Sequence, residues 1–241
     1  MLRKLTSAAG CLLVLASLVL TDARADSSPL DARQQSIVAI AAFTACGDLD
    51  RLKPALVRGL ESGLTVSEIK EVLVQLYAYT GFPRSLNGIS TFMAVMKERE
   101  EKGIRDEAGR EPSPVPDGFD RDSYGARTRA TLGGRTDIPA PSGYQLFAPQ
   151  IDDYLKQHLF ADIFQRDNLT WKDRELATIS ALAAMTGTAS QQRFHQNAAM
   201  NMGLTEEQMK QFADIITAEI GADAGSVSRK VLSAVLESRK K

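Results

Sequence analysis

The chain holds two histidines, His158 and His195, and two cysteines, Cys11 and Cys46, which narrows the chemistry open to it. His195 is the sharper candidate. It stands in Gln191-Gln-Arg-Phe-His-Gln-Asn-Ala-Ala-Met-Asn-Met-Gly203, which reads as a helix, and an imidazole titrates near neutral pH. Glu175 opens the helix before it. Antiparallel packing of the two helices would bring carboxylate and imidazole together, an arrangement that orients a histidine for acid–base work. Unpaired, Glu175 would instead face its helix dipole. His195 and Glu175 are the expected catalytic pair.

A second polar group flanks Gly81-Phe82-Pro83, a helix-breaking tripeptide: Tyr77, Tyr79, Arg84 and Asn87. A broken helix frees backbone groups and lets side chains converge on a ligand. Tyr77 and Tyr79, two apart, cannot both face the core of a regular helix. Arg84 and Arg193 each offer a guanidinium for a bidentate hold on a carboxylate. The expected substrate-binding residues are therefore Arg193, Tyr79, Arg84, Asn87 and Tyr77. His158 shows no partner pattern and reads as structural. Cys46 closes an apolar segment, Ile37 to Cys46, and reads as a small buried hydrophobe. There is no H-E-x-x-H, C-x-x-C, glycine-rich phosphate loop or G-x-S-x-G, so neither a metal site nor a cofactor is expected.

These two groups are halves of one pattern repeated 140 residues apart. One copy runs from about Arg33 to Ile89, the other from about Asp173 to Arg229. They align at Gly63-Leu64-Thr65 and Gly203-Leu204-Thr205. Each then carries a capping-box signature, Thr65 with Glu68 and Thr205 with Gln208. The front of the second copy holds Arg174, Glu175, Arg193 and His195, where the first has Gln34, Gln35, Lys53 and Ala55. The back of the first copy holds Gln75, Tyr77, Tyr79, Pro83 and Asn87, where the second has Ile215, Thr217, Glu219, Asp223 and Val227. Polar groups kept in complementary halves predict one composite site.

The elements that must position them are helical throughout, and no segment reads as a strand. Apolar spacing predicts helices over 36–45 and 49–62, from Thr65 to the Gly81 break, and from 85 to about 102. Further helices are expected over 149–164, from Thr170, over 190–202, from Thr205 and over 226–238. Residues 103–148 are rich in Pro and Gly and read as a connector with one short helix around Arg121–Leu132. The expected division is a signal peptide at 1–25, a repeat at 26–102, the connector at 103–148 and a second repeat at 149–241.

Met1-Leu-Arg-Lys4, the apolar run Cys11 to Leu20 and Ala23-Arg-Ala25 read as a secretory signal cleaved after Ala25. A periplasmic or secreted protein follows, without membrane attachment after cleavage. Only Cys46 would remain, which excludes an internal disulfide. A net charge of −1 gives no reason to expect nucleic acid as a partner.

Two segments, Arg174-Glu-Leu-Ala-Thr-Ile-Ser-Ala-Leu-Ala-Ala-Met-Thr-Gly187 with Arg193-Phe-His-Gln-Asn-Ala-Ala-Met-Asn-Met-Gly-Leu-Thr205, resemble the front half of the carboxymuconolactone decarboxylase family. Glu68 to Asn87 resembles its back half. The resemblance implies an all-α fold like that of the alkylhydroperoxidase AhpD, in two tandem repeats, and a homo-oligomer, typically a trimer. It implies either cofactor-free decarboxylation of a small carboxylated lactone or reduction of peroxides through a C-x-x-C pair. Glu175 and His195 match the family's Glu and His. Thr188 and Gln191 stand at the C-x-x-C positions, so dithiol chemistry lacks its nucleophile. The expected function is acid–base decarboxylation or isomerisation of a carboxylated small molecule. The alternatives are a thiol-redox protein using Cys46 and a non-catalytic oligomeric scaffold.

Overall fold

The computed structural model describes residues 28–240, and the expected signal peptide lies outside them. Ten α-helices and one π-helical segment make up the fold, with no strand among the described residues. The first copy comprises α1 (Ala32–Cys46), α2 (Leu49–Glu61) and α3 (Val66–Glu101). The connector contributes α4 (Arg121–Leu132) and α5 (Tyr144–Phe147). Next come α6 (Pro149–Asp153) and the π-helical segment Tyr154–Ile163. The second copy is α7 (Trp171–Ala183), α8 (Ala189–Asn201), α9 (Glu206–Glu219) and α10 (Ala222–Arg239).

The 140-residue offset is kept to the residue where local chemistry sets the boundaries. Helices α2 and α8 begin and end 140 apart. Thr65 and Thr205 both close capping boxes, each accepting from the backbone three residues on. Gly63 and Gly203 follow the preceding helices at φ 92° and 101°, a region that favours glycine. The long helix α3 is two helices meeting at Gly81 (φ 78°, ψ 161°), and α9 and α10 meet at Gly221 (φ 136°, ψ 166°). The break is narrower than expected. The helix resumes at Phe82, not Ser85, because Pro83 falls in its first turn, where a missing N–H costs nothing.

Helices α1 and α7 form the centre. Ile37 to Ala45 is buried without interruption, as is Asp173 to Ala183. A helix that is apolar or small all round belongs inside, and its many alanines let the two helices approach closely. Arg33 and Asp173, equivalent residues 140 apart, pair directly at 2.9 Å. Equivalent positions meet near the axis that relates two copies, so the pseudo-two-fold passes between α1 and α7. One apolar core runs through both copies.

The connector wraps back over this body. Its 107–110 stretch accepts hydrogen bonds from Val66 N (2.9 Å), Ser67 N (2.9 Å) and Ser67 Oγ (2.7 Å), satisfying groups that α3 leaves open at its start. Helix α4 forms where sequence spacing predicts and lies along the π-helical segment. Gly125 allows that approach: a Cβ there would sit 1.8 Å from the Lys156 carbonyl oxygen. Ion pairs Lys156–Asp122 (2.7 Å) and Arg121–Asp162 (2.6 Å) tie the two together. The 149–164 stretch is not one regular helix, as periodicity suggests, but α6 followed by π-helical turns. Such turns re-aim side chains and recur at functional sites.

Candidate active site

Glu175 is buried in the second turn of α7, and His195 is buried in the middle of α8, the neighbouring helix. His195 Nδ1 lies 2.8 Å from Glu175 Oε2. A carboxylate accepts, so Nδ1 donates, and Nε2 is the ring nitrogen left outside that bond. Tyr79 meets the imidazole edge-on at 5.5 Å and Phe194 does so at 5.0 Å, fixing its plane. The Tyr79 hydroxyl is buried. Burial, and then the nearby Glu175 carboxylate, hold this phenol well above its usual pKa range, so it remains a proton donor. Glu175 Oε1 is buried with no donor among the described residues.

Helix α3 of the first copy holds this part of α7 in place. Gln75 Nε2 donates to the Arg174 carbonyl and to Thr178 Oγ1, each at 2.9 Å, and Gln75 Oε1 accepts from Arg174 at 2.9 Å. Arg174 is fully buried and reaches Glu71 at 2.8 Å and the Arg166 carbonyl at 2.5 Å. Burial lowers the Arg174 pKa. Burial would raise Glu71, but Arg166 and Arg174 outweigh it and hold that carboxyl below its ordinary value. Thus the residues on either side of Glu175 are anchored by the other copy.

His195 opens into a cavity of about 520 Å³. Tyr79 and Ala78 line it from α3, Arg129 from α4, Tyr144 from α5, Leu155 and Leu159 from the π-helical segment, and Thr188 and Gln191 from α8. The wall is largely apolar. Thr188 and Gln191, the positions matching the dithiol pair, face this space without a sulfur.

The structure therefore unites His195, Glu175 and Tyr79 but not the other expected residues. Tyr77 lies outside the wall, its ring stacked on Phe82 at 4.5 Å and its hydroxyl hydrogen-bonded to His158 Nε2. His158 also bonds Asp162 at 2.9 Å, one turn on, so it ties the π-helical segment to α3. Arg84 and Asn87 are exposed beyond the Gly81 break. Arg193 is exposed beside a separate surface hollow with Asn197 and Ser238. Two residues from His195 is about 200° around a helix, so the two side chains leave on opposite sides. The cation in the cavity wall is Arg129 instead. Asp152 pairs with it and also accepts from Gln145 Nε2 at 3.0 Å. Arg129 and Tyr144 come from the connector, which has no counterpart in the other copy, so the repeat pattern carries no signal for them.

Cys46 ends α1, half-buried, with Sγ 3.5 Å from the Phe43 carbonyl oxygen and no part in this wall. Among the described residues no three His, Cys, Asp or Glu side chains converge as metal ligands would.

A search of curated proteins returns no match. The model of the carboxymuconolactone decarboxylase family matches residues 15–91 and 149–234, two segments that hold the paired copies and both sides of the His195 site. With most of the chain matched in this way, the protein belongs to the carboxymuconolactone decarboxylase family.

Proposed function

We propose that this protein is a cofactor-free acid–base enzyme that decarboxylates or isomerises a small carboxylated lactone-type substrate. The observation that carries the reading is the 2.8 Å Glu175–His195 pair, whose histidine lines a largely apolar cavity of about 520 Å³. A space of this size holds one small molecule. Loss of CO₂ beside an unsaturated lactone leaves an electron-rich dienolate, which must be protonated on carbon. His195, protonated from solvent before each turnover, delivers that proton through Nε2 and is left as the neutral ring, while Glu175 stabilises the imidazolium before transfer. Tyr79 packs edge-on against the imidazole and holds it in place, and the apolar wall strengthens the Glu175–His195 bond by keeping water away. Arg129, oriented by Asp152, holds the substrate carboxylate.

The lack of sulfur at positions 188 and 191, and the separation of Cys46 from the wall, favour this reading over thiol-redox chemistry. We also propose that the protein acts as a homo-oligomer, a trimer by analogy with its family, in the periplasm or outside the cell. The test is turnover of a panel of carboxylated lactones. His195→Ala should abolish it with the fold intact by circular dichroism; unchanged turnover would remove the acid–base role.

A further inference from the structure

The charges around the His195 cavity are matched before any substrate enters. Of the residues lining it, Arg129 and His195 are the two that can carry positive charge, and each faces a carboxylate of its own. His195 Nδ1 lies 2.8 Å from Glu175 Oε2. Arg129 donates through Nη1 to Asp152, a buried residue of α6. Burial would raise the Asp152 pKa, but hydrogen bonds from Arg129 and Gln145 outweigh it and hold that carboxyl below its ordinary value. Asp152 is therefore ionised at neutral pH. It is not part of the cavity wall and acts through the guanidinium.

A guanidinium carries five N–H donors in a fixed fork. With Asp152 on Nη1, the fork keeps donors for one further carboxylate. A second carboxylate on the same substrate finds no such seat. Much of the remaining wall is apolar, with Leu155, Phe160 and Phe194 among its members. The two wall hydroxyls at the start of α8 are engaged: Thr188 Oγ1 donates to the Leu182 carbonyl at 2.6 Å and Ser190 Oγ to Gln191 Oε1 at 2.8 Å. Lys156, on the π-helical segment behind the wall, is held by Asp122 at 2.7 Å and does not line the cavity. Moving an ionised carboxylate from water into such a wall without a partner is costly.

We propose that this cavity takes a substrate with a single carboxylate on an apolar body, and that Asp152 sets this preference by balancing the Arg129 charge. The proposal rests on the acid–base reading of the site and adds to it the charge class of the substrate. Asp152 is a positioning residue, since it touches Arg129 and not the substrate. In a decarboxylation the single carboxylate is the one lost as CO₂, so the product is neutral and has no hold on Arg129.

The test is binding of two saturated, unreactive lactones to the full chain by isothermal titration calorimetry: paraconate, with one carboxylate, and isocitrate lactone, the same ring with two. Wild type should bind paraconate about a hundredfold more tightly. Asp152→Asn keeps an acceptor oxygen for Arg129 and Gln145 while removing the charge, and should narrow that ratio to about tenfold or less; circular dichroism verifies its fold. Arg129→Gln should weaken paraconate binding at least about tenfold. A wild type that binds isocitrate lactone as tightly as paraconate, or binds neither, overturns the proposal, and this holds whether or not the variants fold. So does a folded Asp152→Asn with the wild-type ratio, the result expected if the cavity excludes a second carboxylate by size alone. Binding is read without turnover, so failure of the acid–base reading shows separately, as undiminished turnover in His195→Ala.

Discussion

The pseudo-two-fold gives the molecule two equivalent junctions, and only one buries a carboxylate against an imidazole. At the first, the back of copy one meets the front of copy two: Gln75 and Tyr79 against Glu175 and His195. At its mirror image Ile215 and Glu219 line one hollow with Gln35, and Ala55 stands in the place of His195. Glu175 is fully buried, whereas Gln35 is exposed and donates to the Leu30 carbonyl at 2.7 Å. The buried Arg174–Glu71 pair corresponds to Gln34 and Gln211, both neutral. Arg51, in the place of Gln191, reaches the Glu219 carbonyl at 2.5 Å and lies over the Phe43 ring. What remains there is a hollow of about 350 Å³ between Gln35, Arg58 and Glu219. Helices α4 and α5 of the connector, together with the π-helical segment, roof the first junction, and none of them lines the hollow at the second. The fold thus stands without buried charge at one junction. Burying charge is costly, so the charge kept at the other junction is not something the fold itself requires, which is why the proposed site is placed there.

The largest test of this contrast is His195→Ala, which should lower turnover about a thousandfold, while Gln35→Ala leaves it unchanged. Equal effects would mean that the two junctions share the work. Arg174→Met should come next, because it strands Glu71 without its buried partner. A loss of about 3 kcal/mol is expected in denaturant unfolding, against under 1 kcal/mol for Gln34→Ala. Tyr79→Phe keeps the ring against the imidazole and removes a hydroxyl shut away from the cavity, so kcat should fall by about tenfold at most; a hundredfold loss would make the phenol a donor to the substrate.

The pH dependence of stability gives a smaller signal. Glu71 has a folded pKa held below its unfolded value. Its contribution is therefore complete above the unfolded value, about 4.3, and is lost as pH falls through the folded one. Melting temperature should drop in that acid range, and Glu71→Gln should melt lower at neutral pH but with a flatter acid slope. The smallest effect separates the arginines. Arg129→Lys should raise KM about tenfold by breaking a bidentate hold, while Arg84→Ala and Arg193→Ala should leave KM within a factor of about two. A matching rise for Arg193→Ala would place that side chain in a site on a neighbouring copy.

Much of this was legible in the chain itself. Thr65 and Thr205 cap, Gly63 and Gly203 follow the helices, and Gly81 breaks one, because caps and positive φ are decided by a few neighbouring residues. The pairing of Glu175 with His195 follows from two adjacent antiparallel helices, and Tyr79 follows from the duplication. The arginine at the cavity was not legible. Position 193 falls in the better motif, but about 200° of helical rotation sends it to solvent, whereas Arg129 comes from a connector that no repeat explains.

The sequence by itself determined the helical class, the 140-residue duplication and which polar residues each copy brings, since these depend on spacing and on backbone preference. Only the tertiary structure decided that Arg174 is buried against Glu71, that residues 154–163 wind as a π-helix beneath Gly125, and that the connector roofs one junction and leaves the other open. Those outcomes depend on which surfaces meet between elements far apart in the chain, and local periodicity carries no information about such pairings.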